Sequence, residues 1–197
     1  MSHYFTNDEI ESKEKQIIVK IKDTKLLFTT DNGVFSKKGL DFGTRTLLES
    51  LDLTDIKGKV LDFGCGYGPV GIYLSLKTDA KIDMVDINER ALNLAKKNTI
   101  LNNVNPNIFQ SDIYSNIKEK YDFIITNPPI RVGKKILYEI LFKAFDHLNE
   151  NGELWFVVNK NQGAKSIFND LEKKYYPEII IKNKGFYIIK TKNKKIK

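Results

Sequence analysis

The tetrapeptide Asn127-Pro128-Pro129-Ile130 follows Tyr121 to Thr126, an apolar run that reads as a buried strand. Two consecutive prolines fix the backbone, remove two N–H donors and push Asn127 out of the α region. The Asn127 side-chain oxygen and the Pro128 carbonyl are then left as hydrogen-bond acceptors. Two acceptors held side by side match the two hydrogens of a planar –NH₂ group. Drawing those hydrogens out of the conjugated plane localises the nitrogen lone pair toward an electrophile. Such a displacement draws its rate from orientation and electrostatic preorganisation, and it needs no strong general base.

A second constellation lies upstream. Asp62-Phe63-Gly64-Cys65-Gly66-Tyr67-Gly68 closes a short strand and runs directly into a segment opened by Pro69. Glycines here let the backbone turn sharply and approach a ligand that a Cβ would push away, and Pro69 suits a first helical turn because its missing N–H is not needed there. The carboxyl end of a strand is also where an open α/β sheet takes its ligand. Gly66-Tyr-Gly68-Pro-Val-Gly71 matches the dinucleotide fingerprint, and Asp86 lies 20 residues after Gly66, so a nicotinamide-dependent oxidoreductase is one reading. That register starts three residues beyond Phe63, however, and a start at Gly64 puts Pro69 where the third glycine belongs. Asp62 would also repel a pyrophosphate, whereas it would attract an ammonium group.

These residues resemble the class I S-adenosylmethionine-dependent methyltransferases, whose first motif is D/E-x-G-x-G-x-G. The resemblance implies that Asp62 and the backbone of Gly64, Cys65, Gly66 and Gly68 hold the methionine part of the cofactor. By the same token Asp86, with Ile87, takes the ribose hydroxyls. Asp112, with Ile113, contacts the adenine amino group, and Asn127 borders both cofactor and substrate. Asn-Pro-Pro followed by an aromatic marks methyltransferases of base or glutamine amines. Here Ile130 replaces the aromatic and Arg131 follows, a residue able to stack by its guanidinium plane or to pair with phosphate. Asn-Pro-Pro-Ile-Arg-x-Gly is similar to small single-domain relatives of the bacterial ribosomal RNA guanine-N2 methyltransferases. Gly33-Val-Phe-Ser36, Leu40-Asp-Phe-Gly-Thr44 and His3-Tyr4-Phe5 extend that likeness over nearly the whole chain. It implies an enzyme that methylates an exocyclic base amine, guanine N2 in ribosomal RNA, with RNA as partner; of the aromatic residues, core by default, Phe35 and Phe42 are the candidates to line the substrate mouth. A glutamine-directed protein methyltransferase and a non-catalytic RNA-binding module stay open beside it.

The elements that must position these residues follow from periodicity. Gln16 to Phe35 alternates apolar and polar residues around Asp23-Thr24, predicting a small antiparallel hairpin; Thr44 to Leu53 carries a helical stripe, with Thr46 to Glu49 as a capping box. From Lys59 strands (59–63, 81–85, 107–109, 121–126, 153–158) alternate with helices (69–76, 88–101, 133–148, 164–175), and residues 178–181 and 185–190 form a closing hairpin. The expected fold is α/β and Rossmann-like. A mostly parallel seven-stranded sheet has helices on both faces, one antiparallel C-terminal strand and the small N-terminal hairpin as an extension. A single domain is expected over 1–197, with 1–43 as the extension and 44–197 as the cofactor-binding and catalytic core.

Composition bounds the rest. The chain has 197 residues, 41% hydrophobic and 29% charged, ordinary for a globular protein with a sizeable core. No run is long and apolar enough for a membrane helix, and Met1 to Glu14 lacks the pattern of a signal peptide, so a cytoplasmic location with no membrane partner is expected. One cysteine and two scattered histidines, His3 and His147, predict no metal site. The formal charge is +7, and residues 182–197 hold seven lysines without one acidic residue, which accounts for the whole excess. A terminal lysine cluster suits phosphate attraction or a solvated tail.

Overall fold

The computed structural model describes residues 11–34, 39–129 and 133–193. Lys15–Ile21 (β1) and Thr24–Thr30 (β2) form the N-terminal hairpin. Phe42–Ser50 (α1) follows, then Lys59–Phe63 (β3), Pro69–Lys77 (α2), Lys81–Asp86 (β4), Glu89–Leu101 (α3), Asn107–Gln110 (β5) and Tyr121–Thr126 (β6). Gly133–Lys143 (α4), Leu148–Asn159 (β7), Ala164–Glu172 (α5), Tyr175–Asn183 (β8) and Phe186–Asn193 (β9) complete the described elements. Among them no helix is long and apolar enough to cross a membrane.

The seven-stranded sheet runs β5-β4-β3-β6-β7-β9-β8. β3 pairs parallel with both β4 and β6, and β9 pairs antiparallel with β7 and β8, so one strand runs against the rest. Along β3 the side chains alternate between two cores. Val60 joins the layer under α1, α2, α3 and the hairpin, whereas Leu61 and Phe63 join the layer under α4 and α5. Both sheet faces are therefore covered, as a parallel sheet requires. Each fully buried Leu or Ile among them contributes about 1.5–3 kcal/mol.

Several boundaries differ from the sequence reading for local reasons. Asp41, not a Thr46–Glu49 capping box, caps α1 by accepting from the Thr44 N–H at 3.0 Å; Thr46 instead sits inside the helix and donates its hydroxyl to the Phe42 carbonyl. The helix over 133–148 tightens into a 3-10 turn at Ala144–His147. β7 begins at Leu148, with residues 149–152 bulging between its pairing to Tyr121 and to Phe123. Gly152 permits this, since a Cβ there would lie 2.8 Å from the Tyr121 carbonyl oxygen. The terminal hairpin is longer than periodicity suggests. Its turn places Lys184 at φ 46° and Gly185 at φ 83°, the backbone of a tight two-residue connection.

Two asparagines one turn apart, Asn98 in α3 and Asn102 at its C-cap, fasten the N-terminal hairpin to the core. Asn98 accepts from the Thr29 N–H at 2.6 Å and donates to the carbonyls of Thr29 and Tyr67, at 3.0 and 2.8 Å. Asn102 treats the Leu27 backbone the same way, accepting at 3.1 Å and donating at 2.8 Å. Thr29 and Leu27 are two apart on the outer edge of β2, so side-chain amides stand in for a missing neighbour strand. Asn98 also ties that edge to Tyr67 inside the glycine turn. Asn98→Ala leaves three buried backbone groups without partners and is expected to lower the unfolding free energy by about 3 kcal/mol. Urea denaturation measures this, and a loss below about 1 kcal/mol would contradict the role.

Candidate functional site

Three parallel neighbours, β4, β3 and β6, end on one rim, and strand order reverses between β3 and β6. That reversal opens a crevice beyond the carboxyl ends of the strands. Gly64, Gly66 and Gly68 turn there with φ of 70°, 57° and 99°, values that favour glycine. A Cβ on Gly64 or Gly66 would meet nothing within 4 Å, so their backbone faces open space. Gly71 is different. A Cβ there would lie 2.5 Å from Met84 Cγ, so its absence lets α2 seat against β4.

Asp62 is 2% exposed and accepts from the Gly71 N–H at 2.8 Å. Burial, together with the nearby Asp86 carboxylate, pushes its pKa up to about 7 against the pull of that hydrogen bond. Asp86 accepts from the Gly66 N–H and the Asn88 N–H, both at 2.9 Å, and burial outweighs these donors to raise its pKa as well. Two carboxylates are thus held near one turn, and among the described residues neither forms an ion pair. Asp62 further takes an N-terminal donor of α2, and Pro69 has none to give, so the seat that a pyrophosphate needs at a helix N-terminus is largely filled. The arrangement disfavours a dinucleotide and fits a ligand bearing positive charge.

The remaining expected cofactor residues border the same rim. Cys65 is 4% exposed, its thiol pKa raised by burial, and its N–H is bonded to the Val85 carbonyl, so it fills space rather than acting as a nucleophile. Ile87 takes a bond from the Gln110 amide on its carbonyl at 2.8 Å. Ser111 donates its N–H to the Asp86 carbonyl, placing exposed Asp112 just beyond. Ile113 follows at φ 48°, an outlying conformation for a β-branched residue.

At the tip of β6, Pro128 is buried, Pro129 is half-buried, and the Asn127 Nδ2 donates to Asp41 Oδ2 at 3.0 Å and to Thr44 Oγ1 at 2.8 Å. Sequence reasoning missed both partners, more than eighty residues upstream, although Asp41 before a helical stripe is itself a cap signal. Phe42 is half-buried beside Asp41, with its ring 5.7 Å from that of Phe186 and the Lys184 ammonium 5.1 Å away. Phe35, Ile130 and Arg131 lie outside the described residues.

A switch-point crevice, an open glycine turn and a pair of carboxylates beside it are what the resemblance to the S-adenosylmethionine-dependent methyltransferases implies. The chain belongs to the methyltransferase small domain family, whose model matches residues 25–190. It is 43% identical over 198 residues to the uncharacterised Bacillus subtilis protein YbxB, covering 96% of this chain and 98% of that one. It is 43% identical over 132 residues to the Haemophilus influenzae ribosomal RNA small subunit methyltransferase C, covering 64% of this chain and 40% of that one. A solved structure, the T. thermophilus 16S rRNA N2 G1207 methyltransferase in complex with AdoMet and guanosine, superposes with a TM-score of 0.83 at 22% identity. That match covers 94% of this chain and 52% of the other. The chain therefore spans about half, or less, of the length of these two ribosomal RNA methyltransferases.

The raised Asp62 pKa has a consequence for the ligand-free protein. Unfolded, the group titrates near its model value of 3.8; folded, near about 7. Its stabilising contribution is therefore full below pH 4 and is lost as pH rises to about 7. Asp62→Asn should remove this dependence, gaining stability relative to wild type between pH 4 and 8 by up to about 4 kcal/mol. Paired denaturation curves at those pH values measure the difference, and parallel pH profiles for the two proteins would contradict it.

Proposed function

We propose that this protein methylates the exocyclic N2 amine of guanine in ribosomal RNA. The observation that carries the reading is the fixed amide of Asn127. Its nitrogen is spent on Asp41 and Thr44, and its oxygen has no partner among the described residues. That oxygen and the Pro128 carbonyl are the two acceptors an amine would need. The T. thermophilus protein bound to guanosine favours guanine among base amines.

Asp62 and the Gly64–Gly68 backbone would hold the methionine end of S-adenosylmethionine, Asp86 and Ile87 the ribose, and Asp112 and Ile113 the adenine. When bound, the cofactor supplies a sulfonium-activated methyl group open to in-line displacement by a nitrogen lone pair. Asn127 and Pro128 aim that lone pair by taking the two amine hydrogens. Neither acceptor is a strong base, so the shed proton goes to water. Ile130 and the proline-stiffened tip would border the base, and Phe35, Phe42 and Arg131 would line its approach.

RNA would arrive over the terminal hairpin. Lys182 and Lys184 are exposed at its turn and Lys160 sits beside Gly185, where none of the three forms an ion pair among the described residues. Lysines without a carboxylate partner attract phosphate by counterion release. Lys190 is instead engaged by Glu178 at 3.3 Å. Lys194, Lys195 and Lys197 lie outside the described residues.

Asn127→Ala should leave S-adenosylhomocysteine affinity nearly intact and raise the barrier to methyl transfer by about 2.7–4 kcal/mol. The assay uses ribosomal RNA from a deletion strain with radiolabelled methyl donor, followed by mass spectrometry of the digested nucleosides. Label on N2-methylguanosine, absent in the variant, supports the reading. Full activity in Asn127→Ala, or label on another nucleoside or on protein glutamine, overturns it.

A further inference from the structure

We infer that Asp41 and Thr44 are positioning residues that lock the Asn127 amide with its oxygen facing the substrate amine. The inference rests on the reading that this oxygen receives the amine. An asparagine side chain can otherwise turn over and present its –NH₂, which would oppose the hydrogens of an incoming amine with hydrogens of its own. Here each hydrogen of Nδ2 has an acceptor, Asp41 Oδ2 at 3.0 Å and Thr44 Oγ1 at 2.8 Å. A carboxylate only accepts, so the turned-over amide would set oxygen against oxygen and leave Asp41 without that bond. The chemistry of Asp41 therefore assigns the amide orientation. A charged acceptor on the nitrogen also polarises the amide and makes its oxygen a stronger acceptor.

The clamp is itself held. Asp41 Oδ2 accepts from the Thr44 N–H at 3.0 Å, so one oxygen caps α1 and grips Asn127 together. Gly43 makes room, since a Cβ there would come 3.0 Å from that oxygen and 3.1 Å from the Phe186 ring. The start of α1 is thus packed between the terminal hairpin and the tip of β6.

The geometry separates clamp from cap. Asp41→Ser keeps a helix-capping oxygen but is too short to reach Asn127, whereas Asp41→Asn retains an amide oxygen at the place of Oδ2. Thr44→Val removes the second acceptor and leaves the cap side chain intact. With deletion-strain ribosomal RNA as substrate, Asp41→Ser should lower kcat roughly 10- to 100-fold, the size of one hydrogen bond to a charged group. KM and S-adenosylhomocysteine affinity should stay within about twofold. Thr44→Val should lose roughly tenfold in kcat, and Asp41→Asn, which keeps an acceptor at the place of Oδ2 but loses the charge and the acceptor-only chemistry, should fall between Asp41→Ser and wild type. In ¹⁵N spectra the Asn127 side-chain amide protons, assigned by their loss in Asn127→Ala, should shift in Asp41→Ser and return toward wild-type positions in Asp41→Asn. Wild-type kcat or unmoved amide protons in Asp41→Ser, beside an inactive Asn127→Ala, would overturn this inference alone. An active Asn127→Ala would overturn it together with the reading on which it rests. If Asp41→Ser does not fold, Thr44→Val decides by the same two readouts.

Discussion

Asp62 sits buried at the end of β3 near the Asp86 carboxylate, and among the described residues one backbone N–H meets it as a hydrogen-bond donor. Burying a carboxylate is costly unless its charge is matched, and here the match inside the protein is partial. Burial accordingly raises the Asp62 pKa to about 7. A cation arriving at the turn would reverse that balance and recover the desolvation cost as binding energy. The surrounding architecture serves this condition. Gly71 brings α2 close enough to supply the N–H, and the open faces of Gly64 and Gly66 leave room for the ligand.

The same rim also carries the Asn-Pro-Pro tip, set by sheet topology. Because β3 and β6 are adjacent and parallel, the glycine turn and the Asn-Pro-Pro tip emerge side by side although more than fifty residues separate them. The prolines stiffen the tip from within the chain. Asp41 and Thr44 stiffen it from outside, through a helix that rests on the terminal hairpin. In the proposed reaction, orientation on the substrate side and charge on the cofactor side would thus come from separate elements that meet only in the folded sheet.

Most of the architecture was legible because strands and helices here carry clean periods. β3 and β6 match their expected bounds, and the glycine turn and Pro69 mark the start of α2 unambiguously. Less legible were features made by long-range pairing. Asn98 reads as one more member of a helical stripe until β2 is placed against it, although a polar residue in an apolar stripe is a signal that something polar faces it. Asp41 was visible as part of a motif but not as a partner of Asn127, since no local rule links a helix cap to a strand tip 86 residues away. Residues 149–152, turn formers between the expected helix 133–148 and strand 153–158, are absorbed into β7 because pairing occurs on both sides of them.

A crystal structure of the protein with S-adenosylhomocysteine and guanosine tests the central claim most directly. The expected result has the ligand ammonium within about 3 Å of Asp62 and its sulfur over the glycine turn. The Asn127 oxygen should meet the guanosine amine while its nitrogen stays on Asp41. A ligand seated away from Asp62, or an Asn127 amide turned from the base, would contradict it.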